Sequence, residues 1–444
     1  MSEYDLHEGR FGVRNIATFN LPPAIGQLFA EADDRLSGHP KLRDTFKRCF
    51  ANTLETTTKL LEDGTAFVFT GDIPAMWLRD SSAQVRHYVP LAARDERLQQ
   101  LIEGLLRRQM AYINIDPYAN AFNEAANDHR YDEDLTELGP WIWERKYEID
   151  SLCYPVQLSY LYWKSTGIAR HFDETFRTTA RRIIRLWRTE QRHGEQSPYR
   201  FQRLDGPPSD TLRNEGKGMP VNYTGMTWSA FRPSDDACAF GYLIPANMFA
   251  AVVLGHIAEI ATDIYRDDSL CQSALALKEE IEFGIETYGT VIHPVYGKIY
   301  AYETDGYGNY NLMDDANVPS LLSIPYLGYR SADDPVYRNT RQFILSKDNP
   351  YYFEGEAARG IGSPHTPDRH IWPIALSMQG LTSQDREEKA GLLAMLLATD
   401  ADTGYMHEGF HADDPHRFTR PWFAWSNSLF AEFVHMLMKQ GEVQ

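Results

Sequence analysis

Apolar residues recur at three- and four-residue spacing in about a dozen segments of this 444-residue chain, which is the periodicity of amphipathic α-helices. Long loops rich in Gly, Pro, Asp and aromatic residues join these segments, and loops of that length usually carry function. No Ser/Gly linker, low-complexity tract or sequence repeat divides the chain. The pattern therefore predicts an all-α barrel of helix hairpins, a single domain of residues 1–444 with its functional loops gathered at one end.

The individual helices are predicted from apolar stripes and from start and stop signals. Pro245 suits the first turn of one helix, where its missing N–H is not needed, and Gly167 closes another. Residues 65–69 indicate a short strand, and residues 290–304 alternate as in a β-hairpin with its turn at 296–297. The predicted helices cover residues 24–36, 42–61, 81–91, 98–114, 149–163, 176–187, 245–264, 269–285, 336–345, 370–379, 385–399 and 422–439.

Composition limits the partners of the protein. The chain has 62 acidic and 44 basic residues, a formal net charge of −18, which argues against nucleic acid and anionic membranes because both need a basic surface. The longest apolar runs, at residues 249–254 and 392–398, are far too short to span a membrane. Residues 1–7 lack the basic start and apolar stretch of a signal peptide, so we expect a cytoplasmic protein.

Acidic residues, aromatic residues and Arg concentrate in a few loops. An Arg beside an Asp, as at Arg79 and Asp80, can hold neighbouring hydroxyl groups of a sugar in fixed directions. The same residues can instead cap the helices that follow, and Asp235 and Asp236 can merely form a turn. Similar composition in several separate loops favours a shared site. These loops are residues 71–80, 122–130 with 141–144, 226–238, 313–319 and 362–373.

Residues 407–411 match the His-Glu-x-x-His pattern of zinc peptidases, in which one helix face presents two His ligands and a catalytic Glu. Two glycines and an Asp-Pro pair surround Glu408, so a stable helix is not expected here. The four cysteines form no Cys-x-x-Cys pair. No metal site is predicted, and Glu408 is interpreted as a carboxylate on a turn, directed into a cleft.

Two loop carboxylates, one near residue 235 and one at Glu408, meet the requirement for glycoside hydrolysis. One must be protonated to donate to the departing oxygen, and the other must be ionised to activate water or attack the sugar. A separation of roughly 6.5–9.5 Å inverts the anomeric configuration, whereas about 5 Å makes the second group a nucleophile. The chain has neither a phosphate-binding Gly-x-x-x-x-Gly-Lys-Ser/Thr loop nor a Gly-x-Ser-x-Gly nucleophile elbow.

Five segments resemble the bacterial and fungal exo-α-1,6-mannosidases of glycoside hydrolase family 125, and they stand in the family's order over nearly the whole chain. They are Asp72–Ser81, Thr227–Cys238, Met313–Pro319, Ser363–Pro367 and Met406–Phe410. The resemblance implies an (α/α)6 barrel. It also implies inverting hydrolysis of terminal α-1,6-linked mannose from mannose-containing oligosaccharides, without a metal or other cofactor.

The resemblance further implies roles for individual residues. Asp235 is the expected general acid, with Asp236 as the alternative because neighbouring side chains diverge and only one can face the sugar. Glu408 is the expected general base. We expect the pKa of Asp235 to be raised by burial or nearby negative charge, so that it is protonated at working pH. Substrate contacts are expected from Asp72, Trp77, Arg79, Asp80, Asp128, Trp228, Arg232, Asn317, His365 and Trp372.

Three other functions are compatible with these residues. A glucoside-specific α/α-barrel glycosidase would share the two-carboxylate chemistry. A zinc peptidase would use His407, Glu408 and His411, and a sugar-binding protein would retain mannosides without cleaving them. The oligomeric state and the natural glycan are left open by the sequence.

Overall fold

The computed structural model describes residues 21–131 and 133–443. Residues 1–7, on which the expected absence of a signal peptide was based, lie outside the described residues. The α-helices are α1 (Pro23–Arg35), α2 (Pro40–Asn52), α3 (Leu78–Arg86), α4 (Val89–Ala92), α5 (Glu96–Ile115), α6 (Ile149–Thr166), α7 (Glu174–Glu190), α8 (His193–Gln196), α9 (Arg213–Gly216), α10 (Ile244–Ile260), α11 (Asp268–Tyr288), α12 (Ile324–Leu327), α13 (Pro335–Ile344), α14 (Pro373–Thr382), α15 (Arg386–Ala398) and α16 (Ala424–Gln440).

Short strands lie between the helices and pair into small antiparallel sheets, whose orders are β1-β2, β3-β4-β5, β10-β9-β6, β7-β8, β11-β12 and β13-β14-β15. The strands are β1 (Thr58–Leu60), β2 (Ala66–Val68), β3 (Met76–Trp77), β4 (Ala121–Phe122), β5 (Ile142–Glu144), β6 (Tyr242–Leu243), β7 (Thr290–His293), β8 (Gly297–Tyr300), β9 (Glu303–Thr304), β10 (Tyr310–Asn311), β11 (Tyr352–Glu354), β12 (Arg359–Ile361), β13 (His370–Ile371), β14 (Gly409–His411) and β15 (Asp414–Thr419).

Six helices form a closed inner ring. Helix α3 packs on α6, α6 on α10, α10 on α12, α12 on α14, α14 on α16, and α16 returns to α3. Outer helices cover this ring: α2 packs on α16, α5 on α6, α11 on α10 and α15 on α14, while α7 bridges α5 and α11. Two concentric layers of alternating helices are the (α/α)6 barrel, so the predicted fold is confirmed.

The two layers differ in their apolar surfaces. The inner helix α10 buries 13 of its 17 residues, because it is enclosed on several sides. The outer helix α7 buries a stripe that includes Phe176, Ile183 and Trp187 and exposes the opposite face. The hydrophobic core therefore lies mainly between the two rings.

The helix from Ile244 to Tyr265, which is α10 with a π-helical extension, is long and apolar enough to cross a membrane by length and composition alone. The unbroken apolar run at residues 249–254 is only part of this helix, so the length of that run alone did not predict a segment of spanning length. In the structure, 78% of its most apolar window is buried inside the protein, and it packs against α6, α11 and α12. That burial is typical of a core helix of a barrel.

Local predictions were confirmed where a single residue sets the backbone. Gly167 ends α6 with a left-handed φ of 73°, and the hairpin of β7 and β8 turns at Gly297 with a φ of 76°. The predicted helix at residues 42–61 was confirmed in its first part but extended too far, because a π-helical turn at Thr53–Thr57 follows α2 and Thr58–Leu60 pairs with β2. Three consecutive Thr side chains, at residues 56–58, hydrogen-bond to preceding carbonyl groups, which favours leaving the helix there.

Short strands precede the inner helices. Strand β3 leads directly into α3, β6 into α10, and β13 precedes α14 by one residue. The predicted helix at residues 370–379 therefore starts late, at Pro373, because His370 and Ile371 pair with β14. These strands and the loops beside them fix the positions of the side chains at the start of each inner helix.

Candidate active site

A cavity with about 360 Å³ of empty space, part of it open to solvent, lies where the loops before the inner helices converge. Asp80 comes from the first turn of α3, Trp372 directly precedes α14, and Trp425 lies in the first turn of α16. The N-terminal ends of these three helices therefore meet at one end of the barrel. The lining residues are Thr70, Ile73, Trp77, Arg79, Asp80, Pro233, Ser234, Asp235, Asn317, His365, Trp372, Glu408, Arg420, Phe423 and Trp425.

Most of the predicted site residues come together in this cavity. Asp235 and Glu408, the two carboxylates expected to do the chemistry, both line it. The predicted substrate contacts found with them are Trp77, Arg79, Asp80, Asn317, His365 and Trp372. Motifs separated by more than 300 positions in the sequence thus contribute to one hollow, although the role of each residue stays a prediction.

The neighbouring carboxylates Asp235 and Asp236 point in different directions. Asp235 lines the cavity and leaves 27% of its side chain exposed, whereas the side chain of Asp236 is 5% exposed and accepts a hydrogen bond from His365 Nδ1 at 3.1 Å. A left-handed φ of 68° at Asp235, which Asp tolerates better than most residues, produces this divergence. Of the two, Asp235 is the one placed to meet a ligand.

Arg79 gathers four carboxylates at the floor of the site. Its Nη1 donates to Glu148 at 2.6 Å and to Asp150 at 3.2 Å, and its Nη2 donates to Asp235 at 3.2 Å. The Nε atom lies 3.4 Å from Asp80 Oδ2. Burial raises the pKa of Asp80 and of Asp150 to about 6 each, against the opposing charge of Arg79. One cation cannot balance four ionised carboxylates, so the cluster retains bound protons.

The expected rise in the pKa of Asp235 is wrong for the free protein. Burial raises that pKa, but the Arg79 guanidinium and the Lys146 ammonium outweigh burial and hold it well below the ordinary range of a carboxyl group. The side chain of Glu148 is hydrogen-bonded to Asp235, and its own pKa is raised well above the usual value by burial. The shared proton of this pair therefore resides on Glu148.

Glu408 occupies a simpler environment. It is buried in the turn before β14, and its Oε1 accepts from Arg420 Nη1 at 3.4 Å. The rest of the Arg420 guanidinium binds Asp72, with Nη2 2.6 Å and Nε 3.1 Å from the carboxylate. Asp72 does not line the cavity itself, and it holds Arg420 against Glu408.

Aromatic side chains form the walls of the cavity. Trp77, Trp372, Phe423 and Trp425 all contribute, and Trp372 is fixed by a hydrogen bond from its Nε1 to Thr366 Oγ1 at 2.9 Å. The buried Nε1 of Trp77 has no hydrogen-bond partner among residues 21–131 and 133–443. Flat apolar surfaces beside polar groups suit a sugar, which has apolar C–H faces and a rim of hydroxyl groups.

Besides Asp72, three predicted substrate contacts lie outside the cavity, so the structure does not bring them to the site. Trp228 is buried in the core, with its ring stacked on His193 at a centroid distance of 3.5 Å. Arg232 is buried and donates from Nε to Glu303 at 2.6 Å. The Asp128 side chain is 64% exposed on a loop. Trp228 and Arg232 satisfy the packing and charge needs of the fold, and Asp128 faces solvent.

The zinc-peptidase interpretation is contradicted by the local structure. His411 lies in strand β14 and His407 in the loop before it, so the helix that would bring both rings to one ion is absent from this segment. The ring of His407 instead stacks on Phe418 at 3.8 Å. Among the described residues, no three His, Cys, Asp or Glu side chains are grouped to hold a metal ion.

Sequence reasoning missed several residues of the site. Arg420 follows the β14–β15 hairpin outside any motif, and Phe423 and Trp425 stand at the start of a predicted helix, where aromatic residues ordinarily indicate core packing. Glu148 and Asp150 flank the first residue of α6, and acidic residues at a helix start are ordinarily caps.

The arrangement has the parts of an acid–base site. Asp235, which forms a proton-bearing carboxyl pair with the buried Glu148, shares one cavity with a separate carboxyl group, that of Glu408. The pKa of His365 is raised to about 9, because the contact with Asp236 outweighs the effect of burial, so a further cation faces the cavity at neutral pH. Such a site can protonate a leaving group on one side while it activates water on the other.

Comparisons with known proteins identify the family of this chain. The sequence model of the metal-independent α-mannosidases (GH125) matches residues 39–435. A Streptococcus pneumoniae protein of that class, solved in a non-productive complex with α-1,6-mannobiose, is 52% identical with a TM-score of 0.92 and covers 94% of this chain and 98% of its own.

More distant similarity extends to other organisms and activities. The meiotically up-regulated gene 157 protein of Schizosaccharomyces pombe is 41% identical over 94% of this chain and 86% of its own length. A glucoamylase from Saccharomycopsis fibuligera shares only the fold, with 10% identity, a TM-score of 0.57 and coverage of 91% of this chain and 96% of its own. The family match and the two close relatives establish that this chain belongs to glycoside hydrolase family 125, the metal-independent α-mannosidases.

Proposed function

We propose that this α-mannosidase is exo-acting and releases the non-reducing terminal mannose of α-1,6-linked mannosides with inversion of configuration. Asp235 is the general acid and Glu408 the general base. The observation that carries the proposal is that these two carboxyl groups, from loops far apart in the chain, line the same cavity. The complex of the Streptococcus pneumoniae relative with α-1,6-mannobiose supports the linkage.

The chemistry is a single displacement. Glu408 accepts a proton from water as the water oxygen attacks the anomeric carbon, and Asp235 gives a proton to the glycosidic oxygen as its bond to that carbon breaks. Arg420, held by Asp72, keeps Glu408 in place. Charge develops on the sugar in the transition state, and the carboxylates around Arg79 lie where they can stabilise it.

The lining of the cavity supports an exo-acting enzyme. Side chains from several separate loops surround the hollow, and such a hollow suits one chain end better than the middle of a long polysaccharide. Asp80, Asn317 and His365 present acceptors and donors for the hydroxyl groups of the terminal mannose, while Trp372 offers an apolar face. Bonds to these hydroxyl groups that strengthen as the ring flattens would accelerate the reaction.

Proton NMR of an α-1,6-mannobiose digest tests the proposal. We expect the β-anomer of free mannose to appear first and to mutarotate afterwards, since inversion at an α-linkage gives the β-product. Initial α-mannose would overturn the inverting mechanism. Release of glucose from α-glucosides in preference to mannose from mannosides would overturn the substrate assignment. The Glu408→Gln variant serves as the control for contaminating activity.

A further inference from the structure

Glu148 is a buried carboxyl group that the mechanism above does not use. It directly precedes α6 and its side chain has no solvent exposure. Its Oε2 accepts hydrogen bonds from Arg79 Nη1 at 2.6 Å and from Ser151 Oγ at 2.7 Å. Its Oε1 has no N–H or hydroxyl donor among the described residues, and the side chain is hydrogen-bonded to Asp235. One oxygen is therefore fixed by donors, and the other is free to carry the proton shared with Asp235.

The surroundings of the pair decide which member holds the proton. Three charged groups face Glu148: Arg79 from α3, Asp150 from the first turn of α6, and Asp235 from the loop before α10. The charged groups facing Asp235 are Arg79, Lys146, Glu148, Asp150, Glu144, Asp80 and His365. The cations thus gather on the Asp235 side, and the buried Glu148 shares its one cation with three other carboxylates.

We propose that Glu148 is a positioning residue that stores the proton which Asp235 passes to the departing glycosidic oxygen. This inference rests on the proposed function and deepens it. Asp235 faces the cavity but is held ionised by its neighbours, so a general acid at that position needs a nearby donor. Glu148 is hydrogen-bonded to Asp235. It can release its proton because Arg79 and Ser151 stabilise the carboxylate that remains.

The proton balance closes over one turnover. The O–H bond of Glu148 breaks as an O–H bond forms on Asp235, when the sugar displaces water from the cavity. Asp235 then gives its proton to the glycosidic oxygen, which keeps the electron pair of the broken C–O bond, while Glu408 takes a proton from the attacking water. Glu408 afterwards loses its proton to solvent, and solvent restores one to the pair through Asp235.

The Glu148→Gln variant tests the inference with a phenyl α-mannoside and a 2,4-dinitrophenyl α-mannoside. Gln keeps the shape and the contacts to Arg79 and Ser151 but cannot release a proton. With the phenyl substrate we expect kcat to fall about 10- to 100-fold at pH 7 and the basic limb of the pH profile to move to lower pH by about one unit or more. With the dinitrophenyl substrate, whose leaving group needs no proton, the loss is expected to stay within about threefold.

Two further variants separate proton storage from structure. Glu148→Asp retains an ionisable carboxyl group and should restore the basic limb toward the wild-type position. Asp150→Asn removes another Arg79 partner that has no hydrogen bond to Asp235, so both substrates should be affected alike. Equal losses on both substrates in Glu148→Gln, or an unmoved basic limb, would overturn the inference. Because aryl mannosides carry no 1,6-linkage, this result stands apart from any failure of the enzyme on α-1,6-mannobiose.

Discussion

The two carboxylate regions of the cavity are built in opposite ways. Around Asp235, one guanidinium is shared by four acidic side chains, and a proton is bound between two of them. Around Glu408, one guanidinium from Arg420 is divided between two carboxylates, and no second acid is hydrogen-bonded to the Glu408 side chain among the described residues. The first region is arranged to hold a proton, whereas the second fixes its carboxyl group with one guanidinium.

This difference shows that the residue type alone does not decide the role. Asp235 and Glu408 are both carboxyl groups on turns that precede inner helices, and both lie in the same cavity. Many carboxyl groups around one cation favour protonation, whereas fewer carboxyl groups per cation favour ionisation. The acid and the base are therefore distinguished by how many acidic neighbours share each Arg.

The largest expected effect separates the two regions by leaving group. Glu408→Gln should lower kcat on the order of 10³-fold on both α-1,6-mannobiose and 2,4-dinitrophenyl α-mannoside, because both reactions need an activated water. Asp235→Asn should lower it by a similar factor on mannobiose only, since dinitrophenolate departs without protonation. Steady-state kinetics of the two variants on the two substrates make the measurement.

Thermal unfolding midpoints close to wild type would show that these variants fold. A reversed pattern, in which Asp235→Asn is inactive on both substrates and Glu408→Gln recovers on the dinitrophenyl substrate, would exchange the two assignments. Near-wild-type turnover of Glu408→Gln on mannobiose would remove it from the mechanism.

An intermediate effect is expected at Arg420, which supports the base. Lys cannot reproduce the planar guanidinium that contacts Asp72 and Glu408 at once, so Arg420→Lys should lower kcat about tenfold through misplacement of Glu408. Arg417→Lys, an exposed change in the same hairpin, is the matched control and should be neutral. Equal kcat values for Arg420→Lys and Arg417→Lys would show that Glu408 does not need the Arg420 guanidinium to hold it in position.

The sequence predicted the barrel and the motif residues, because helical periodicity and short motifs are local signals. It could not supply contacts that depend on how loops converge. Arg420 contacts Glu408 from a left-handed backbone conformation, with a φ of 38° at Arg420, and no sequence motif predicts that conformation. Trp228 and Arg232 stand in the same motif as Asp235 but point into the core, since alternate side chains of a turn diverge. Local sequence places a motif at the site without saying which of its side chains enters.

The smallest effect concerns His365, whose raised pKa is supported by Asp236 and also by the charges of Glu408 and Asp235. A pKa of about 9 in the folded state, above the unfolded value of about 6.5, gives stability that is complete below pH 6.5 and is lost as the pH rises through about 9.

Urea unfolding should therefore find the wild-type protein more stable than His365→Gln by about 1–2 kcal/mol at pH 6, and this difference should shrink by pH 9.5. The expected free energy is small because the His365 side chain is 34% exposed, so that solvent screens its contact with Asp236. His416→Gln, at an exposed His, should show no such dependence. The charges of Asp235 and Glu408 both raise the pKa of His365. In an Asp235→Asn or Glu408→Gln background, His365→Gln should therefore change the unfolding free energy and its pH dependence less than it does in the wild-type protein. If the difference in unfolding free energy were equal at all pH values, His365 would be neutral in the folded protein and would not be a cation facing the cavity.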